Sequence, residues 1–215
     1  MSKDLSNFFF STRGVTVFVW TTLALGGGIA ALQQQWASLF VIMLTLFFTM
    51  VPTLLHRWYA IKLPRLIALL GVLFTYASLF LGEIHDFYEL FWWWDIALHG
   101  VSAVIFGLIG LGAMRMMQSA QTISAIASVI AIFGFTFALA IGAAWEIIEF
   151  LIDTVFDTHM QKGLQDTMGD LIVDGLGAAF VSFFGYFHYK FGGRPNVIGQ
   201  TVDYFIDRYK NRSSS

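Results

Sequence analysis

Cysteine is absent from the 215 residues, which excludes a disulfide framework and any thiolate metal site. Charge is scarce: 12% of residues are charged against 57% hydrophobic, and mean hydropathy is +0.71. A soluble domain of this length needs more charge to cover its surface. The sequence also lacks a Gly-rich nucleotide loop, a Ser–His–Asp arrangement and a basic patch that would suit a nucleic acid. It shows no repeat at solenoid period and no stretch large and polar enough to fold as a separate soluble domain. The net charge of −2 says little by itself; the distribution of charge carries the information.

What remains is a series of long apolar runs. About 20 apolar residues at 1.5 Å each cross the hydrocarbon layer, and six runs qualify, over roughly 15–33, 37–55, 65–82, 95–114, 123–150 and 169–190. The expected fold class is all-α: a polytopic transmembrane helical bundle forming a single domain over 1–215, with a tail at 195–215. Basic residues before the first run raise the question of a cleavable signal peptide. The stretch VTVFVWTTLALGGGIAAL is long for that purpose and has no convincing small-x-small cleavage site, so it reads as a retained helix. The fifth run exceeds what a span requires, and tilt or projection would absorb the excess.

Basic residues set orientation. Lys3, Arg13, Arg57, Lys62, Arg65, Arg115, Lys190, Arg194, Arg208, Lys210 and Arg212 fall on one side, leaving only Lys162 of the twelve on the other. That side is expected to be the cytoplasm, with both termini in it, and the expected location is the bacterial inner membrane. Trp92, Trp93 and Trp94 suit an outer aromatic belt, and Trp58 and Tyr59 an inner one. The tail TVDYFIDRYKNR reads either as a short amphipathic helix on the interface or as a frayed end.

The acids do the reverse. Glu83, Asp86, Glu89, Asp95, Glu146, Glu149, Asp153, Asp157, Asp166, Asp170 and Asp174, eleven of fourteen, crowd the outer half. Acids contribute little to orientation, so topology does not demand this concentration. Asp95 and His99 are four apart and share a helix face, Glu146 and Glu149 are three apart, and Asp166, Asp170 and Asp174 form a stripe. Charged groups in hydrocarbon cost several kcal/mol unless paired or hydrated, so the three faces are expected to converge on one polar cavity. Close carboxylates repel unless cations or protons neutralise them. Carboxylate with imidazole suits Zn, Mn or Fe, and carboxylates alone suit Mg or Ca.

Plainer readings compete. Asp95 can cap the fourth helix and Asp166 or Thr167 the sixth, and acids in a first turn complement the helix dipole. A lone His99 is more often a hydrogen-bonded interior histidine than a ligand. Glu83, His85, Asp86 and Glu89 read as a solvated lip, and Asp153, Asp157 and His159 as an exposed acidic loop in preference to an extension of the site. Gly26, Gly27, Gly28, Gly107, Gly110 and Gly112 suit close helix packing. Glu146 and Glu149 close a span where no cap needs them, and Asp174 lies nearly two turns inside one.

Three segments, WWDIALHG at Trp93–Gly100, IGAAWEIIEF at Ile141–Phe150 and QDTMGDLIVDGLGA at Gln165–Ala178, resemble the YjdF-like inner-membrane proteins, related in pattern to the VanZ-like group. The shared pattern is D-x-x-x-H, then E-x-x-E, then Q-D-T-x-x-D, filled here by Asp95, His99, Glu146, Glu149, Gln165, Asp166, Thr167 and Asp170. The resemblance covers the last half of the chain, reaching the first three helices only by hydropathy. Asp174 stands where the pattern has a small or polar residue, so its role does not transfer. The resemblance implies one shared site and supplies no reaction.

The leading expectation is a site of Asp95, His99, Glu146, Glu149, Asp166 and Asp170 that binds a divalent metal (Zn, Mn, Fe or Mg) and acts on a lipid or lipid-linked substrate. Glu146 or Glu149 would be the general base, and His99 a ligand or the acid for the leaving group. The alternatives are a proton or cation transporter relaying through the same carboxylates, and a non-catalytic assembly protein whose polar cluster joins helices.

Overall fold

The computed structural model describes residues 12–59, 63–156, 160–192 and 197–204. Lys3, Lys62, Asp157, His159, Arg194, Arg208, Lys210 and Arg212 lie outside the described residues. The fold is all-helical, with no strand among the described residues. Its elements are α1 (Thr12–Leu32), α2 (Trp36–Tyr59), α3 (Arg65–Thr75) running on as a π-helical segment (Tyr76–Ile84), the short α4 (Phe87–Leu90), α5 (Trp94–Ser119), α6 (Ala127–Phe156) and α7 (Leu164–Lys190). Among the described residues, six helices are long and apolar enough to cross a membrane. The chain divides after Trp94 into two compact units, 1–94 and 95–215.

In the first unit α1 ends in a Schellman turn. Gln34 takes a left-handed φ of 57°, and the N–H groups of Gln34 and Gln35 donate to the carbonyls of Ala31 and Ala30, satisfying groups that the helix end would otherwise orphan. The chain reverses at once into α2, and the two helices share a hydrogen bond from Trp20 Nε1 to Thr49 Oγ1 at 3.2 Å. Val19, Leu23, Ala30, Ile42, Val72 and Phe80 form this unit's core. Pro52 lies inside α2, as spans tolerate where neighbours re-satisfy the freed backbone. In the π-helical segment Phe80 stacks on Tyr76, and Gly82 leaves space that the Tyr88 ring fills.

The second unit is held by a seam of small residues. Gly177 on α7 meets the Gly100 carbonyl and Ala103 of α5, and Gly107 meets Val181. Leu111 of α5 inserts between Gly134 of α6 and Gly185 of α7. Small residues let backbones approach closely, which is how helices associate where lipid removes the hydrophobic drive between them. Leu111, Ala178 and Val181 are fully buried in this seam, whereas Ile132, Phe180 and Phe183 point outward from the same helices, as a lipid solvent permits. A second Schellman turn, with Gln121 at φ 57°, ends α5 through bonds from Gln121 and Thr122 to Gln118 and Met117.

The tail bears on the two readings of TVDYFIDRYKNR. Residues 197–204 are helical, with Thr201 and Val202 buried. His188 Nε2 donates to Asp203 Oδ2 at 2.8 Å, and Gly199 sits against the His188 ring, where any Cβ would collide. This stretch is docked on α7, and the rest of the tail lies outside the described residues.

Candidate functional site

All the acids of interest belong to the second unit and gather at one end of its helices: the start of α5, the end of α6 and the start of α7. Asp95 is the second residue of α5, and His99 follows one turn deeper on the same face. Gly142, Glu146 and Glu149 occupy successive turns of α6. Asp166, Asp170 and Asp174 descend α7, and Asp174 lies roughly 15 Å below Leu164 at 1.5 Å per residue.

His99 is the hub. Its ring is 7% exposed, and Nδ1–H donates to Asp174 Oδ2 at 3.2 Å. That bond leaves Nε2 to face Glu146 Oε1 at 3.7 Å and Asp95 Oδ1 at 3.8 Å. A carboxylate holding one ring nitrogen so that the other points at a ligand position is the arrangement that fixes tautomer and direction in histidine metal ligands. Glu146, Asp170 and Asp174 are 5%, 4% and 1% exposed. Glu146 Oε1 and Asp174 Oδ1 are buried without a hydrogen-bond partner. An unpaired buried polar atom is costly, and a bound cation would satisfy such an atom.

Two groups of three offer ligand atoms within 4.8 Å of one another: His99, Glu146 and Asp170, all buried, and Asp95, Asp166 and Asp170, of which only Asp170 is buried. Five of the six expected site residues therefore come together. Glu149 is in neither group; it is half-buried, and Trp145 Nε1 donates to its Oε1 at 2.8 Å.

Asp174 joins the site as the partner of His99, a role that the motif pattern did not carry. The i, i+4, i+8 stripe and its depth in a span were the signals that could have found it. Gly142 was missed altogether. A Cβ at Gly142 would lie 2.6 Å from Asp174 Cγ and closer still to Oδ2, so the absent side chain on α6 makes the slot in which the carboxylate sits.

The capping reading does not hold at α7. Its N-cap is Gly163, with no side-chain cap bond, and Asp166 stands three residues further on, with Oδ2 accepting the Lys162 N–H at 3.4 Å. Thr167 Oγ1 instead accepts from Gln161 Nε2 at 2.9 Å. Nor is Asp153 a loosely solvated loop acid. It is half-buried, and its two oxygens accept the backbone N–H groups of Met160 and Gln161, both at 2.8 Å. Those bonds tie Met160 and Gln161 back to the end of α6.

Six apolar helices and a buried polar cluster define the chain as a multi-pass α-helical membrane protein. More particularly, it belongs to the family described as predicted membrane protein (DUF2238), whose model matches residues 14–191. It is also similar to an uncharacterized protein of Thermotoga maritima, 33% identical over 102 residues, which are 45% of this chain and 50% of that protein. The chain thus spans about half the length of this curated relative. No solved structure matches it.

Proposed function

We propose that this protein binds a divalent cation between α5, α6 and α7, and uses it to act as a hydrolase or transferase on a lipid or lipid-linked substrate at the outer face of the bacterial inner membrane. One observation carries the reading: His99, Glu146 and Asp170 are all more than nine-tenths buried, with convergent ligand atoms. Several carboxylates buried together in a helical membrane protein repel one another, and a cation relieves that repulsion. The outer face and cytoplasmic termini follow from the basic residues. Kinship with the YjdF-like and VanZ-like proteins, carried by the order of the three motifs, is part of the same proposal.

A cation there supplies Lewis-acid polarisation of a phosphoryl or carbonyl oxygen and a more acidic bound water. The residues divide the remaining work by position. His99 and Glu146, enclosed and facing each other, suit ligation. Glu149 is one turn nearer the helix end, partly open and oriented by Trp145, which suits a general base taking a proton from the attacking water. Asp174 holds the imidazole. Exposed apolar side chains close to Glu149, among them Ile148 and Leu151, suit a substrate with an acyl or isoprenoid portion.

The small-residue seam argues against the alternatives. Beyond Asp174 the space between α5 and α7 is closed by Gly100, Ala103, Gly107, Gly177 and Val181, and no acid lies deeper on α5, α6 or α7 to continue a relay. The same seam joins the helices without using the acids. The test is the metal content of detergent-purified protein, native beside Asp170→Ala and Glu149→Gln. Native protein and Glu149→Gln should hold metal and Asp170→Ala should lose it with folding intact. Metal-free native protein sinks the proposal.

A further inference from the structure

We infer that the acid cluster is a two-cation centre in which Asp170 bridges a buried site (His99, Glu146) and a second site nearer the helix ends (Asp95, Asp166). The inference rests on the cation reading above and extends it to a second site with its own ligands. Asp170 belongs to both ligand groups. It is 4% exposed, no hydrogen bond from a described residue reaches it, and beside it the buried Glu146 Oε1 has no hydrogen-bond partner. A carboxylate can give one oxygen to each of two cations, and paired cations bridged in this way are about 3.5–4 Å apart in two-metal enzymes.

Charge points the same way. Asp95, Glu146, Asp166, Asp170 and Asp174, the last held by His99, carry five negative charges as carboxylates. One divalent cation leaves three of these uncompensated among membrane-spanning helices, where unpaired charge is expensive; two divalent cations leave one, equal to the charge of Asp174, whose Oδ2 accepts from His99. The two sites differ in chemistry. The buried one includes an imidazole nitrogen and suits Zn, Mn or Fe. The outer one is all oxygen and half open, the pattern that Mg or Mn accepts with water completing the shell. A pair of cations also fits the proposed reaction, because one clamps the attacking oxygen and the other the leaving oxygen of a displacement at phosphorus.

Manganese alone is the probe, since it accepts both ligand types and its paramagnetic resonance reports exchange coupling between bridged ions. Full-length protein in detergent is titrated with Mn2+, native beside Asp166→Asn, Asp95→Asn and Asp170→Asn. Thermal unfolding of each variant confirms that it is folded. The inference expects two Mn2+ per chain with a coupled signal in the native protein. Asp166→Asn and Asp95→Asn should each leave one uncoupled ion, and Asp170→Asn should weaken both sites by more than about tenfold, at least the loss seen when a ligand's supporting group is removed. A single Mn2+ in the native protein, retained by Asp166→Asn, overturns the second site and leaves the first standing. No Mn2+ in the native protein overturns both.

Discussion

Replacing Gly142 by alanine tests whether the structure places Asp174 correctly, and it needs no knowledge of metal or substrate. In a helix interior, Gly→Ala ordinarily stabilises by roughly 0.8–1.0 kcal/mol. At Gly175, one residue after Asp174, an added Cβ meets nothing within 4 Å, so Gly175→Ala should show that gain of about 1 kcal/mol. At Gly142 the same methyl lands on the Asp174 carboxylate, which is 1% exposed and has nowhere to retreat. Overpacking of this kind costs roughly 1–3 kcal/mol, so Gly142→Ala should lie about 1–3 kcal/mol below Gly175→Ala. The clash belongs to one pair of residues, and shortening Asp174 should relieve it. In a cycle with Asp174→Ala, the double variant should be more stable than the sum of the single effects by about 0.5–3 kcal/mol, the range for residues in contact. Thermal unfolding in detergent, followed by tryptophan fluorescence, measures all five proteins. If Gly142→Ala matches Gly175→Ala and the cycle shows no coupling, the slot does not exist and Asp174 does not sit against α6.

Three further outcomes are expected. Carboxylate and imidazole bind a cation only when deprotonated, so bound metal should be released as pH falls and regained on return to neutrality; metal content after dialysis across a pH series checks this. Asp153→Ala removes the acceptor for two backbone N–H groups, each worth about 1 kcal/mol, and limited proteolysis should then cut the α6–α7 connection faster than in the native protein. Trp20→Phe breaks the bond to Thr49 and should lower stability by about 0.6 kcal/mol, the average for interhelical bonds in a membrane, as read by thermal unfolding.

The six helices were legible because length and hydropathy suffice to mark a span, whatever its neighbours. Convergence of α5, α6 and α7 was legible as well, since Asp95 with His99 and the Asp166–Asp170–Asp174 stripe fix faces through helical periodicity alone. Periodicity sets a direction around one helix and says nothing about what another helix brings opposite it. For that reason the pairing of His99 with Asp174 was not visible, and neither was the division between Glu146, turned inward, and Glu149, held by Trp145. Gly142 was hidden for a stronger reason: its contribution is an absence, and a glycine in AIGAAWE looks like any other glycine in a span. The π-helical turn at Tyr76–Ile84, where Phe80 stacks on Tyr76 and Tyr88 lies against Gly82, left no mark either, because its composition is that of any apolar helix.

The acids that build the site also decide how α7 enters the bilayer. Of the six spans it has the least apolar window, and Asp170 and Asp174 lie well inside it. During translocon insertion an aspartate at a helix centre is penalised by about 2.5–3.5 kcal/mol, so α7 partitions poorly as a lone segment. Its entry is favourable only when α5 and α6 already offer His99, the slot at Gly142 and the small-residue seam. Biogenesis of the final span is therefore tied to the partners that α5 and α6 offer its aspartates, and a chain that keeps Asp170 and Asp174 but loses His99 or the slot at Gly142 should insert α7 less efficiently.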